Sequence, residues 1–509
     1  MIRFSKIRFF LTFALLCSAC GATASASTNG IQTLRIAAYN IEDDINGATT
    51  PLPGLIAPSG GGTVEQGGVV EGIGEEILAG DPAQPLDILA LEETTSNPVT
   101  VAPIVNGLNS FYNAPGMYAM SPYQATEEGG VTDDGNGPNA LVYNTTTLQL
   151  VASVGVDPPG GANQLGSTSG EYREVVRYAF SPAGVVASPT NEFYVYVSHY
   201  KSGTTSADLV DRAKEAQIIR NGEATNLPAN ARVLYVGDYN VTGSGEASYI
   251  TIIATNAPDG AAQGQGIDPL NVSEATNIDW GVNSLLNLKT ESATDLRYRD
   301  DFQVMTSNVY YGAPGGLALV PGTYHAFGNN GTTPYKGSVG SGSDTALNND
   351  LEPNAPITAP SLYADLATAS DHLPVVADYT IPVPTGFPAW QIQYFGSVTN
   401  PAAAPNFDAD GTGQSNYFKY VAGLNPTNSS SVFAFSITVT SNQPAWKNLV
   451  FGPIAAGRTY TPQVETNLSS TGWTPLAALP AVTNGSQVTF TDTNASSQQE
   501  FYRINISLP

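Results

Sequence analysis

Thiols are almost missing from this chain of 509 residues, whose two cysteines are Cys17 and Cys20. Both fall in a start that reads as an export signal. Arg3, Lys6 and Arg8 precede the apolar run Phe9–Leu16, and Ala24-Ser25-Ala26 is a small-x-small cleavage site. Cleavage there makes residues 1–26 a signal peptide and places the mature protein outside the cytoplasm, secreted, periplasmic or at the cell surface. A lipoprotein signal ending at Cys20 is the alternative, although Cys17 stands where a bulky aliphatic residue is usual. A mature chain without thiols excludes a cysteine nucleophile, a thiolate zinc site and a disulfide scaffold. No later stretch is long and apolar enough to span a bilayer.

Charge is scarce too, at 12% Asp, Glu, Lys and Arg, and it is lopsided: 19 Lys and Arg stand against 44 Asp and Glu. The formal net charge of −25 becomes −28 once the three cations of the signal are removed. Whole-protein attraction to a polyanion is therefore absent, so a nucleic-acid substrate would need local Arg, Lys and bound cations. Histidine is rarer still, with His199, His325 and His372.

What is present is a succession of short β-rich runs. Leu34–Tyr39, Leu86–Leu91, Ala140–Tyr143, Phe193–Ser198, Val233–Val236 and Phe302–Met305 carry apolar residues on both faces, as buried strands do. Val64–Leu78 and Ala207–Arg220 are compatible with helices between them. The alternation predicts a layered α/β domain over 30–381. Pro382, Pro384 and Pro388 then predict a linker over 382–400. A degenerate calcium-loop-like segment, with a short acidic loop over Asp408–Asn416, occupies 401–431, and the alternation over 432–509 predicts a small β-sandwich. A monomer is expected.

Polar residues that a core would reject sit at the ends of the predicted strands: Tyr39-Asn40, Glu92-Glu93, Ser198-His199-Tyr200-Lys201-Ser202, Gly237-Asp238-Tyr239-Asn240 and Ser370-Asp371-His372. With Tyr172-Arg173-Glu174-Val175 and Arg299-Asp300-Asp301-Phe302 they form an ordered set of seven. This set resembles the endonuclease/exonuclease/phosphatase superfamily of DNase-like metallophosphoesterases, over residues 34–380. The style of H-x-K-S, G-D-x-N and S-D-H is most similar to that of bacterial extracellular nucleases.

The resemblance implies a four-layer α/β/β/α sandwich and hydrolysis of a phosphodiester, with nucleic acid as the substrate. A phosphatase and a sphingomyelinase-like lipid phosphodiesterase are the alternatives within the superfamily. An inactive surface-binding module is the alternative from another class. Glu93, Asn40 and Asp371 are the candidate ligands for Mg²⁺ or Mn²⁺, a hard cation that takes oxygen donors. His372 is the candidate general base, oriented by Asp301. His199, Asp238 and Asn240 complete the catalytic set, and Arg173 and Lys201 are candidate phosphate contacts. Asp301 is favoured over Asp300 by register. Glu92 stands where the family often has Gln and reads as either supporting or exposed. His325 matches no motif and reads as structural.

The segment Asp408-Ala409-Asp410-Gly411-Thr412-Gly413 is similar to calcium loops of the thrombospondin type-3 and EF-hand kind. Thr412 and Lys419 replace acids of that pattern. A weak Ca²⁺ site at Asp408 and Asp410 and a metal-free turn both remain open.

Overall fold

The computed structural model describes residues 30–42, 53–56, 67–78, 83–126, 137–156, 173–189, 191–257, 263–270, 289–291, 298–313, 315–329, 350–353, 355–440, 442–467, 472–476, 482–495 and 499–508. The signal over 1–26, with Cys17 and Cys20, lies outside them, as does Tyr172.

Among the described residues, thirteen strands precede residue 384. In chain order they are β1 Gly30–Asn40, β2 Leu86–Glu92, β3 Tyr118–Met120, β4 Ala140–Asn144, β5 Leu148–Gly155, β6 Val176–Pro182, β7 Phe193–His199, β8 Val233–Asp238, β9 Gly266–Ile267, β10 Asp301–Thr306, β11 Ala318–Leu319, β12 His325–Ala326 and β13 Val375–Val383. They form two sheets. One has the order β11-β13-β1-β2-β4-β3, with β12 also on β13; the other is β5-β6-β7-β8-β10-β9. The central pairs β1/β2 and β7/β8 are parallel and their neighbours antiparallel.

Period-two alternation divides the apolar residues among three cores. Leu34, Ile36 and Ala38 of β1 meet Val176, Val195 and Val236 of the second sheet, filling the space between the sheets. Ala37 and Tyr39, on the opposite face, pack under the helices Val69–Ile73, Ala102–Phe111 and Ala359–Ala369. Tyr196, Tyr235 and Phe302 face the helices Ser206–Asn226 and Ala247–Ile253. The result is four layers, α/β/β/α, as expected. The helix expected over Val64–Leu78 is a single short turn of helix at Val69–Ile73, with 64–66 outside the described residues.

The stretch 382–400, expected as a linker, holds regular structure. β13 itself continues to Val383, which pairs with Gly30, and a helix occupies Gly386–Phe395. Pro388 lies in the first turn of that helix, where a missing N–H costs nothing. Gly396, at φ 76°, closes it with its N–H on the Ile392 carbonyl at 2.8 Å. The helix is anchored by its rings: Phe387 lies 5.4 Å from Trp390 and 5.3 Å from Tyr417 and Tyr420. The last residues form two facing sheets of four and three strands around Leu449, Phe451, Val488 and Phe490.

Candidate functional site

Five strand ends meet at one edge of the two sheets. Asn40 closes β1, Glu92 closes β2 with Glu93 following, His199 closes β7, Asp238 closes β8 and Asp301 opens β10. Strand register holds them level, with Asn40 beside Glu92, His199 beside Asp238, and Asp238 beside Asp301. Carboxyl ends of parallel strands on one edge are where α/β folds place their sites. The close approach needs Gly237, at φ 126°: a Cβ there would lie 2.1 Å from the Ser198 carbonyl oxygen and 2.9 Å from Glu92 Oε1. Glu93 and Asn240 also hold left-handed backbone, at φ 56° and 50°, a cost of roughly 1 kcal/mol or more each that tends to gather at functional sites.

Asn40 ties the sheets together. Its Nδ2 donates to Glu93 Oε1 and to Asp238 Oδ2, both at 3.0 Å. His199 Nε2 lies 3.5 Å from the same Glu93 oxygen and 3.4 Å from the same Asp238 oxygen. Opposite them, His372 Nδ1 is 2.6 Å from Asp301 Oδ2. A carboxylate only accepts, so Nδ1 carries the proton, and Nε2 is turned toward Asp238 Oδ2 at 3.9 Å and Asp371 Oδ1 at 3.6 Å. Ser370 fixes this segment: its hydroxyl donates to the Asn40 carbonyl at 2.7 Å and accepts from the His372 N–H at 3.0 Å.

These groups border a cleft of about 320 Å³ lined by Glu93, Arg173, His199, Asp238, Asn240 and His372. Arg173 Nη1 and Asn240 Nδ2 both donate to the Tyr200 carbonyl, at 3.0 and 3.1 Å. Lys201 does not reach the cleft lining. It is buried behind it, its N–H donating to Glu215 Oε2 at 3.1 Å. Glu92 is fully buried, which removes the exposed reading. Asp301, not Asp300, meets His372, as register favoured. His325 lies on β12, with Nε2 3.0 Å from Glu76 Oε1, away from the cleft.

The cleft also holds Glu291, Tyr298 and Asp300, which the sequence reading missed. Asp300 follows from its place beside Asp301. Glu291 belongs to no motif and arrives by isolated backbone bridges to Tyr298 and His372, a long-range pairing that leaves no local signal.

The carboxylates are too many for their partners. Burial pushes Glu93 up to about 8, Asp238 up to about 6 and Glu291 up to about 7; it also drives Asp300 well above the ordinary carboxylate range. Burial, with the nearby Arg173 charge, holds His199 well below the usual imidazole value. His372 goes the other way. Burial alone would lower it, but the Asp301 charge and hydrogen bond, with Asp238 and Asp371, hold it well above that value. Glu93 Oε2 and Asp301 Oδ1 are buried with no protein hydrogen-bond partner. Glu93 with His199 and Asp238, Asp238 with Asp301 and His372, and Glu291 with Asp371 and His372 each converge closely enough to hold one metal ion. A surplus of buried oxygen donors is what a hard divalent cation requires, so the donor set fits the Mg²⁺ or Mn²⁺ implied by the resemblance.

The acidic loop is built differently. Asp408 accepts the N–H groups of Thr412 at 3.1 Å and Gly413 at 2.6 Å. The Lys419 ammonium donates to Asp410 and, at 3.1 Å, to the Ser431 carbonyl, and the lysine side chain is only 1% exposed. Of the two readings left open by the sequence, these contacts favour the metal-free turn: a lysine fills the place of the cation.

In overall structure the chain is similar to endonuclease/exonuclease/phosphatase proteins. One is a member of that family from Bacteroides thetaiotaomicron, at 14% identity and TM-score 0.35, covering 69% of this chain and 99% of the other. A second is the mannosyl-6-phosphatase of the same organism, at 14% identity and TM-score 0.33, covering 68% and 99%. A third is the D. rerio protein TDP2 complexed with single-strand DNA product, at 13% identity and TM-score 0.32, covering 68% and 99%. No family model matches the chain, and no curated protein matches it. Likeness at this level concerns shape, and the chemistry must come from the cleft itself.

Proposed function

We propose that the protein is a divalent-metal-dependent phosphoester hydrolase. The observation that carries this reading is the convergence, at one cleft, of the Asn40–Glu93–Asp238 cluster and the His372–Asp301 pair. Glu93 and Asp238, bridged by Asn40, would hold Mg²⁺ or Mn²⁺, while Asp371 converges with Glu291 and His372 instead. Bound there, the cation would polarise a phosphoryl oxygen and offset the carboxylate charge. The chain's own groups do the rest. With the Asp238 and Asp371 charges that raise it offset by a bound cation, His372 Nε2 would be free to take a proton from the attacking water, while Asp301 keeps the ring oriented and stabilises the imidazolium. Arg173 grips the phosphate. His199 and Asn240 face the charge that develops on the phosphorus oxygens and the leaving group. Lys201, behind the wall, contributes through its charge and not by contact.

The sequence resemblance implies nucleic acid, with a phosphomonoester or a lipid phosphodiester as the alternatives within the superfamily. The test is hydrolysis of plasmid DNA, RNA, sphingomyelin and a phosphomonoester by the purified protein, with Mg²⁺ and with chelator. Chelator-sensitive release of product from at least one of them is expected. Binding to a surface without any hydrolysis would support the inactive module instead.

We also propose export by cleavage after Ala26. Mass spectrometry of the mature protein would show a chain beginning at Ser27, whereas an acylated Cys20 would overturn the proposal. Among the described residues no helix is long and apolar enough to cross a membrane.

A further inference from the structure

The charge of residues 30–381 is disposed against polyanions. The segment contains twelve Lys and Arg against thirty-nine Asp and Glu, a formal −27. A protein that holds nucleic acid by its backbone lays several cations along a track. Here the cations are used inside the fold. Arg35 pairs with Asp378 at 2.8 Å, Arg299 with Asp268 at 2.6 Å and Arg212 with Glu246 at 2.5 Å. Arg220 donates to the carbonyls of Thr251, Ile252 and Ala254. All four arginines are buried, and so are Lys201, Arg232 and Lys289. Arg297 and Lys336 lie outside the described residues. Of the remaining three, Lys214 sits 3.6 Å from Asp211, Arg177 belongs to β6, and Arg173 alone lines the cleft.

The cleft repeats the pattern at close range. Past the catalytic groups its wall adds Glu291 and Asp300, and its remaining polar groups are the hydroxyls of Ser202, Thr204, Thr242 and Tyr298. One phosphate can be met by Arg173 and a divalent cation. The next phosphates of a polymer, one every few ångströms, would lie among carboxylates well within a Debye length of about 10 Å at 0.1 M salt.

Resting on the phosphoesterase reading, we infer that the substrate is a compact phosphoester. It carries a single phosphate group on a small, uncharged, hydroxyl-bearing body such as a polyol or sugar, and it is not a polynucleotide. Hydroxyl side chains at the mouth suit a hydroxyl-bearing leaving group, and a neutral body avoids the repulsion that a polyanion meets.

The experiment uses the full mature protein with Mg²⁺ and four probes: glucose 6-phosphate, glycerophosphoinositol, phosphatidylcholine vesicles containing phosphatidylinositol, and a single-stranded dodecanucleotide. The first two present the chemistry in solution and the third on a lipid surface. At least one of the three compact esters is expected to be hydrolysed with kcat/KM roughly 100-fold or more above that for a phosphodiester bond of the oligonucleotide. Its rate should change less than about 3-fold between about 50 and about 200 mM salt, a range over which a multi-phosphate contact loses about 10³–10⁵ in affinity. Faster cleavage of the oligonucleotide, or oligonucleotide binding by fluorescence anisotropy with that steep salt dependence, would overturn the inference and leave the phosphoesterase reading standing. If none of the four is hydrolysed, and inorganic phosphate does not raise the melting temperature, the phosphoesterase reading fails and the inference falls with it.

Discussion

In the cleft, Glu93 Oε2 and Asp301 Oδ1 are buried with no protein partner. In the 408–416 loop, Asp408 takes two backbone N–H groups, and Asp410 takes the Lys419 ammonium and the Thr412 hydroxyl. Both regions gather carboxylates. One is left short of positive charge, and burial accordingly raises Glu93 and Asp238 above the ordinary carboxylate range. The other carries its cation on the chain, and there the lysine holds Asp410 below the ordinary carboxylate range against the opposing effect of burial. An acidic cluster thus points to an external cation when its oxygens lack partners, and to a finished structural turn when they do not.

The sharpest way to break this contrast is at the cleft. His372→Ala removes the proposed base and should cut turnover by about 10²–10⁴-fold. Asp238→Asn should also lose turnover by orders of magnitude, and added Mg²⁺ should recover part of that loss but none of the histidine's. Circular dichroism must show both variants folded. A folded His372→Ala with wild-type activity would refute the assignment of the cleft.

Next comes the cation itself. Chelator should abolish hydrolysis and Mg²⁺ restore it, while the unfolding of residues 401–509, followed by tryptophan fluorescence, stays the same with chelator or with added Ca²⁺. A melting temperature of that region that climbs with Ca²⁺ would mean the loop takes metal after all.

Lys419 then tests the loop from within. Lys419→Met strands Asp410, whose side chain is 4% exposed, and should destabilise this region by about 3–5 kcal/mol, the usual result of removing one partner of a buried pair. Lys419→Glu should restore the acid that calcium loops carry and make stability rise with Ca²⁺, in titrations where the wild type does not respond.

The smallest effect is expected at His325, outside both clusters. Burial would lower it, but the Glu76 charge and hydrogen bond raise it above the ordinary imidazole value. Its contribution to stability is therefore full below about pH 6.5, the unfolded value, and lost as pH rises through the folded one. His325→Gln should leave hydrolysis unchanged and lower the melting temperature at pH 5.5, with little difference from wild type well above neutrality. An activity loss there would extend the functional site beyond the cleft.

Much of this was legible in the sequence because the site is made of strand ends. Buried β runs announce themselves by composition, and a polar group directly beside one is conspicuous; Asn40, Glu93, His199, Asp238 and His372 were all marked that way. Three features were not. Pro388 reads as a breaker, yet in a helix's first turn it is neutral, so the helix Gly386–Phe395 looked like linker. Lys201 shares a motif with His199, yet it is buried and not among the residues lining the cleft. Lys419 was seen as a departure from a calcium pattern, and only its contacts show it as the replacement for the ion. A layered α/β domain followed from alternation and its four layers from the family resemblance, whereas Glu291 reached the cleft through pairing that no local pattern encodes.

One pairing governs when the protein can become active. β1 is flanked by β13, with Gly30 opposite Val383 and Arg35 held to Asp378 from 343 positions away in sequence. Ser370, ahead of β13, supplies the hydroxyl that anchors the Asn40 carbonyl. The first strand thus waits for the last, and a nascent or truncated chain lacks the clasp that brings His372 to Asn40. High contact order of this kind slows folding. A chain cut short before Ser370 would lack the anchor of Asn40, and with it the assembled cleft.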